Sequence, residues 1–194
     1  MQDFFFYIQL GLDHVLDLGA YDHILFLLAL ALPFTFMQWK TVLLLATAFT
    51  IAHCLSLALA VYDILVMDAG WIEFLIPVTI LLTATFNLMY EKSSAKDKSL
   101  VLHVIATVFF GLIHGFGFSN YFRMLMAGEE DKLSPLFGFA VGIEISQLLV
   151  VVGALILAYV FQSIFKVKQP LFVIIASILI IFLTIPMLFA TFPL

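Results

Sequence analysis

The histidines and carboxylates of this chain stand in places where long apolar sequence gives them no ordinary use. Asp22-His23 abuts Ile24-Leu25-Phe26-Leu27-Leu28-Ala29-Leu30-Ala31-Leu32 with no polar break between. Ionisable groups beside or inside such segments are costly in a bilayer and are kept for ions, protons or catalysis. Both side chains are good ligands for a divalent metal. His53 belongs to a row Thr47, Thr50, His53 and Ser56 that recurs every three residues, so the four drift slowly round one side of a helix. For the threonines that pattern reads as interhelical hydrogen bonding; for the rarer imidazole it reads as a ligand.

His114 is bracketed by Gly111 and Gly115, a GxxxG pair that lets another backbone approach closely. A second pair, Gly138 and Gly142, leads to Glu144, with Gln147 on the same face. A lone charge at mid-bilayer costs about 2.5–3.5 kcal/mol on the lenient insertion scale, so Glu144 is expected to be paired, protonated or metal-bound. Glu73 follows Trp71 at an interface, and Pro77 one turn on frees a carbonyl. Asn87 reads as a packing hydrogen bond and His103 as structural.

The elements that must position these groups are membrane spans. Of 194 residues, 64% are hydrophobic and 11% charged, where a soluble domain carries about 25% charged residues. The apolar residues fall in blocks of roughly twenty, the length of a spanning helix, without the alternation of barrel strands. Spans are predicted at about 22–37, 41–62, 71–90, 99–118, 135–163 and 170–192. Residues 2–18 read as a short interfacial or re-entrant helix, or as a seventh span. The fold class is therefore an all-α polytopic membrane protein, a six-helix bundle plus that N-terminal helix, with 1–194 as a single integral membrane domain. A net charge of −5 excludes nucleic acid as a partner. The single cysteine, Cys54, forms no internal disulfide. The start of the chain has no basic, cleavable leader, so the first helices are expected to stay.

Six of the eight basic residues, Lys40, Lys92, Lys96, Lys98, Lys166 and Lys168, fall in loops of one side; Arg123 and Lys132 fall on the other with Glu129, Glu130 and Asp131. The positive-inside rule then puts loop 91–98 in the cytoplasm, and the Asp22/His23 end and loop 119–134 outside, in a bacterial-type inner membrane. With that topology Asp22, His23, His53, Glu73, His114 and Glu144 converge on the outer half of one bundle. Imidazoles with carboxylates suit Zn, Ni, Co, Fe or Cu(II) rather than Cu(I). Some of the carboxylates would orient imidazoles instead of ligating.

Taken together, Asp22-His23-Ile24-Leu25-Phe26-Leu27-Leu28-Ala29-Leu30, Phe49-Thr50-Ile51-Ala52-His53-Cys54-Leu55-Ser56-Leu57, Glu73 with Asn87, Gly111-Leu112-Ile113-His114-Gly115-Phe116-Gly117-Phe118 and Gly142-Ile143-Glu144-Ile145-Ser146-Gln147-Leu148 resemble the HupE/UreJ family. The likeness runs in order from about residue 11 to 150. Cys54 stands where the family usually has serine, and Pro77 interrupts the third-span motif. The resemblance implies a hydrogenase or urease accessory protein that handles nickel or cobalt, and adds His14 to His23, His53 and His114 as family histidines.

The expected function is thus a divalent transition-metal permease or metal-binding accessory protein for Ni, Co or Zn. Its expected ligands are His14, Asp22, His23, His53, His114 and Glu144, with Glu73, Ser56, Gln147 and Asn87 in supporting places. Two other classes stay open. One is an intramembrane zinc hydrolase, with Asp22 or Glu144 as general base and Ser56 or Ser119 polarising the substrate. The other is a structural subunit, in a homo-oligomer or larger membrane complex.

Overall fold

The computed structural model describes residues 2–91 and 100–193, and those residues form seven α-helices and no strand. They are α1 (Gln2–Leu16), α2 (Asp22–Ala31), α3 (Trp39–Val61), α4 (Ala69–Glu91), α5 (Leu100–Leu125), α6 (Leu133–Ser163) and α7 (Gln169–Ala190). From α3 onward every helix is apolar and long enough to cross a membrane, which makes this a multi-pass membrane protein. Helices α1 and α2, of 15 and 10 residues, are each too short to do so alone.

Those two short helices run end to end. In α1, the Phe4 and Ile8 carbonyls lie against Gly138 and Gly142 of α6, so the two helices point the same way. Helix α2 then continues along α6 and α4. It finishes beside the last turns of α4 and the first turns of α5 and α7. There Asn87 Nδ2 donates to the Ala29 carbonyl at 2.7 Å, the Phe34 and His103 rings are 5.8 Å apart, and Gln169 donates to the Pro33 carbonyl at 3.3 Å. Together α1 and α2 make one crossing, interrupted at residues 17–21.

This differs from the expected arrangement, in which a span opens at residue 22 and continues to 37. Two local causes explain it. Asp17 turns its own carboxylate on to the Gly19 N–H at 2.7 Å, ending α1 in a side-chain-closed turn. Pro33 brings no N–H to the Ala29 carbonyl, so α2 ends there and Asn87 supplies the missing donor. The chain then makes a single 3₁₀ turn at Phe36–Gln38 before α3.

The bundle has an acidic end and a basic one. At the first, loops 62–68 and 126–132 carry Asp63, Asp68, Glu129, Glu130 and Asp131; Arg123 pairs with Asp63, and Lys132 Nζ donates to the Val61 carbonyl at 3.1 Å. At the second lie Lys40, Lys166 and Lys168. The loop expected at 91–98, with Lys92, Lys96 and Lys98, lies outside the described residues apart from Glu91.

Glycine sets the two closest helix crossings. A Cβ on Gly11 or Gly142 would collide with the carbonyls of Phe139 and Ile8, locking α1 to α6. A Cβ on Gly115 would strike the His53 carbonyl and Ser56 Oγ, and one on Gly111 would come within 2.8 Å of the Phe49 carbonyl, locking α5 to α3. Without a hydrophobic driving force between helices in lipid, such backbone approach is what holds them in register. Gly153, by contrast, has nothing within 4 Å of where its Cβ would stand.

Overpacking costs about 1–3 kcal/mol, and at this chain length each kcal/mol moves the midpoint by about 2–4 °C. Gly142→Ala should therefore lower the thermal midpoint in detergent by several degrees, while Gly153→Ala leaves it in place. Equal midpoints would mean that α1 does not pack on α6 as described.

Candidate metal centre

Four imidazoles meet at the break between α1 and α2. His14 comes from the last turn of α1 and His23 from the first turn of α2, with ring centroids 4.6 Å apart. His53, near the middle of α3, is 5.6 Å from each of them. His114, near the middle of α5, is 5.2 Å from His23. The level of the cluster is therefore well inside the bundle, where Asp22 and His23 begin a half-length helix rather than a surface-opening span.

Donor atoms of His14, His23 and His53 all lie within 4.8 Å of one another, and so do those of Asp22, His23 and His114. His23 belongs to both groups. An imidazole nitrogen bonds such an ion at about 2.0–2.1 Å, which lets two ligand atoms stand up to about 4 Å apart. Shifts of less than an ångström would thus bring either group on to one ion.

Hydrogen bonds fix which nitrogens face the centre. The Thr79 hydroxyl lies 2.7 Å from the Ile76 carbonyl and 3.1 Å from His114 Nε2; with its single proton on the carbonyl it accepts from the ring. In that arrangement Nε2 carries the proton and Nδ1, buried without a partner, keeps its lone pair. His23 Nδ1 donates to Asp22 Oδ1 at 3.3 Å and leaves Nε2 in the same condition. His14 Nε2 and both nitrogens of His53 are also buried and unpartnered. Each orphaned group costs about 1–3 kcal/mol. A divalent ion is the partner that could satisfy several converging lone pairs at once.

The centre opens on a cavity of about 800 Å³ between the break, α4 and α5. Asp13, Asp17, Asp22 and Glu73 line it, together with His14, His23 and His114, and among the described residues its lining includes no lysine or arginine. A wall of one charge sign raises the local concentration of cations. His53 sits behind, fully buried.

A family described as HupE / UreJ protein matches residues 1–191 of the chain. The protein belongs to the HupE/UreJ family. No curated protein and no solved structure matches it. In this HupE/UreJ chain the four histidines expected from the motifs, His14, His23, His53 and His114, are the four drawn together, with Asp22 beside them. Glu73 is exposed on the cavity rim.

Glu144 is placed elsewhere. It lies on the seam between α3 and α6, where Thr47 and Thr50 donate to its two oxygens at 2.6 and 2.5 Å, and it belongs to neither donor group. Gln147 lies with it, 3.3 Å from the Thr50 hydroxyl. Ser56 donates to the His53 carbonyl at 2.8 Å and supports the histidine's own turn. Asn87 caps α2, as described above. Sequence reasoning overlooked Thr79, Asp13 and Asp17 as parts of the site. The doublet Asp13-His14, repeated as Asp22-His23, was the signal for the carboxylates; threonine in an apolar helix gave none for Thr79.

Because His23 serves both donor groups, His23→Ala should weaken Ni²⁺ or Zn²⁺ binding most in calorimetric titration of the purified protein. Thr79→Val should weaken it by about 10–100-fold, the usual cost of an orienting partner. If His23→Ala binds as wild type does, the ion does not sit at the break.

Proposed function

We propose that this chain is a divalent transition-metal permease of the nickel or cobalt type. The observation that carries the reading is the interrupted crossing, which brings four imidazoles and Asp22 together inside the bundle beneath a cavity lined by carboxylates. Discontinuous helices recur in transporters because irregular backbone at membrane depth is tolerated where it lines a polar cavity.

Capture and transfer follow from the residues. The four carboxylates of the cavity draw in a hydrated cation, and the imidazoles replace its waters. His14, His23 and His53 form one set of ligands, and Asp22, His23 and His114 the other. Since His23 is common to both, the ion can change sets without returning to water. Asp22 holds the His23 ring in the orientation that makes this possible. For the metal itself, mixed imidazole and carboxylate donors favour nickel, cobalt or zinc over a soft monovalent ion.

Orientation follows the charge bias. Lys40, Lys166 and Lys168, with Lys92, Lys96 and Lys98, put the basic end in the cytoplasm of an inner-membrane protein and the acidic cavity outside. The hydrolase reading loses support because Ser56 and Ser119 are buried and donate to the carbonyls of His53 and Phe116 at 2.8 and 2.7 Å.

Proteoliposomes holding the wild-type chain and an internal metal-sensitive dye should report uptake of Ni²⁺ or Co²⁺. His53→Ala and His23→Ala should each abolish it while the protein remains folded and monodisperse. Tight metal binding without any flux would instead make the chain a metal-holding accessory protein.

A further inference from the structure

Helices α4 and α5 do not stay together along their whole length. Towards the acidic end a Cβ on Gly117 would come within 2.6 Å of Ile76 Cδ1, and Thr79 stands 3.1 Å from His114 Nε2. Towards the basic end the facing walls carry small side chains, Thr83 of α4 and Ala106 of α5. There the two helices part round a cavity of about 180 Å³, with Leu30 and Pro33 of α2 as its floor. Between Leu102 and Phe110, its limits on α5, the helix rises about 12 Å.

The wall suits an apolar guest. Thr83 donates to the Thr79 carbonyl at 2.8 Å and Asn87 to the Ala29 carbonyl at 2.7 Å, so both turn their donors on to backbone. His103 lies between the Phe34 and Phe86 rings, 5.8 and 6.0 Å from them. Among the described residues no carboxylate, lysine or arginine lines the cavity. An apolar cavity of about 150 Å³ stays dry and takes up a benzene-sized molecule, whereas a buried water needs several polar partners.

The mouth faces the bilayer. On α4 Leu82 and Phe86 are 54% and 37% exposed, and on α5 Leu102 is 52% exposed. Each belongs to an outward row: Met89 follows on α4, and Ile105 and Phe109 on α5, all exposed and at helical spacing. Inward, Phe110 stands one turn from His114, with its ring 5.9 Å from that of Phe26, between the cavity and the histidine centre. The bilayer core holds no water to fill such an opening. What adjoins it there is hydrocarbon.

We propose that this fissure binds one acyl chain of a phospholipid from the leaflet at the basic end, which passes between α4 and α5 and packs on α2. Helix α2 carries His23 in its first turn, so the bound tail supports the half-crossing that positions a ligand of the centre. The site is independent of transport: it stands whether the protein moves an ion or only holds one.

The test uses the full chain in phospholipid vesicles containing a phosphatidylcholine with a diazirine on one acyl chain. After photolysis, peptide mass spectrometry should find adducts on Leu30 or Pro33, which lipid on the outside of the bundle does not reach, as well as on Leu82 and Leu102. Ala106→Phe fills the cavity and should abolish the α2 adducts, while those on the exposed Phe182 of α7 persist; Ala106→Leu does the same with less bulk should the first variant not fold. Adducts confined to outward-facing residues, or α2 adducts that the filled cavity retains, overturn the site. Labelling of α2 by a diazirine fatty acid but not by the phospholipid overturns the phospholipid assignment.

Discussion

Backbone pressed against backbone is the constraint from which the centre takes its shape. Gly142 lies under the Ile8 carbonyl and Gly115 under that of His53, at separations no side chain could share. The first contact sets how far α1 slides along α6, and therefore the depth of His14. The second fixes α5 against α3, which sets His114 and His53 at one level. An imidazole cluster of this kind tolerates shifts of only about an ångström before its donors cease to share an ion. Leucine-on-leucine packing in lipid would not define the register so narrowly, because lipid tails compete for the same contacts.

Much of the architecture could be read from hydropathy and charge. Helices α3, α4, α6 and α7 match the expected spans to within a few residues, α5 runs on to Leu125 through what was expected to be the start of loop 119–134, and the charged loops separate into two ends. The centre was legible through residue type: an imidazole in an apolar run has few bland explanations, and His23, His53 and His114 stood out for that reason. The first crossing was not legible. Its two halves look, in hydropathy, like a weak helix and a strong span; that they form one crossing depends on Gly11 meeting α6, a contact with a partner more than a hundred residues away in sequence. Glu144 shows the other limit. Depth along its helix suggested the centre, but the angular position that turns it towards Thr47 and Thr50 cannot be fixed without knowing which neighbour α6 packs against.

Polar groups inside the bundle are arranged in separate sets, each closed by different chemistry. Hydroxyls of α3 hold Glu144 from the side, so that its carboxylate has partners inside the span. The histidine centre keeps at least one nitrogen of each ring without a hydrogen-bond partner and is flanked by the rings of Phe26, Phe49 and Phe118. Thr79 illustrates how little is needed to bias such a centre: one hydroxyl, 3.1 Å from Nε2, engages one nitrogen of His114 and leaves Nδ1 for an ion.

The interrupted crossing bears on how the protein is made. Residues 2–31 contain Asp3, Asp13, Asp17 and Asp22 together with two histidines, and each acidic residue near mid-bilayer opposes insertion by about 2.5–3.5 kcal/mol. What compensates is the groove of α6, where Gly138 and Gly142 receive α1. That groove does not exist until the ribosome has translated most of the chain. Helix α1 can take its place against α6 only after that later helix has been made, and the meeting of His14 with the other three imidazoles waits on it.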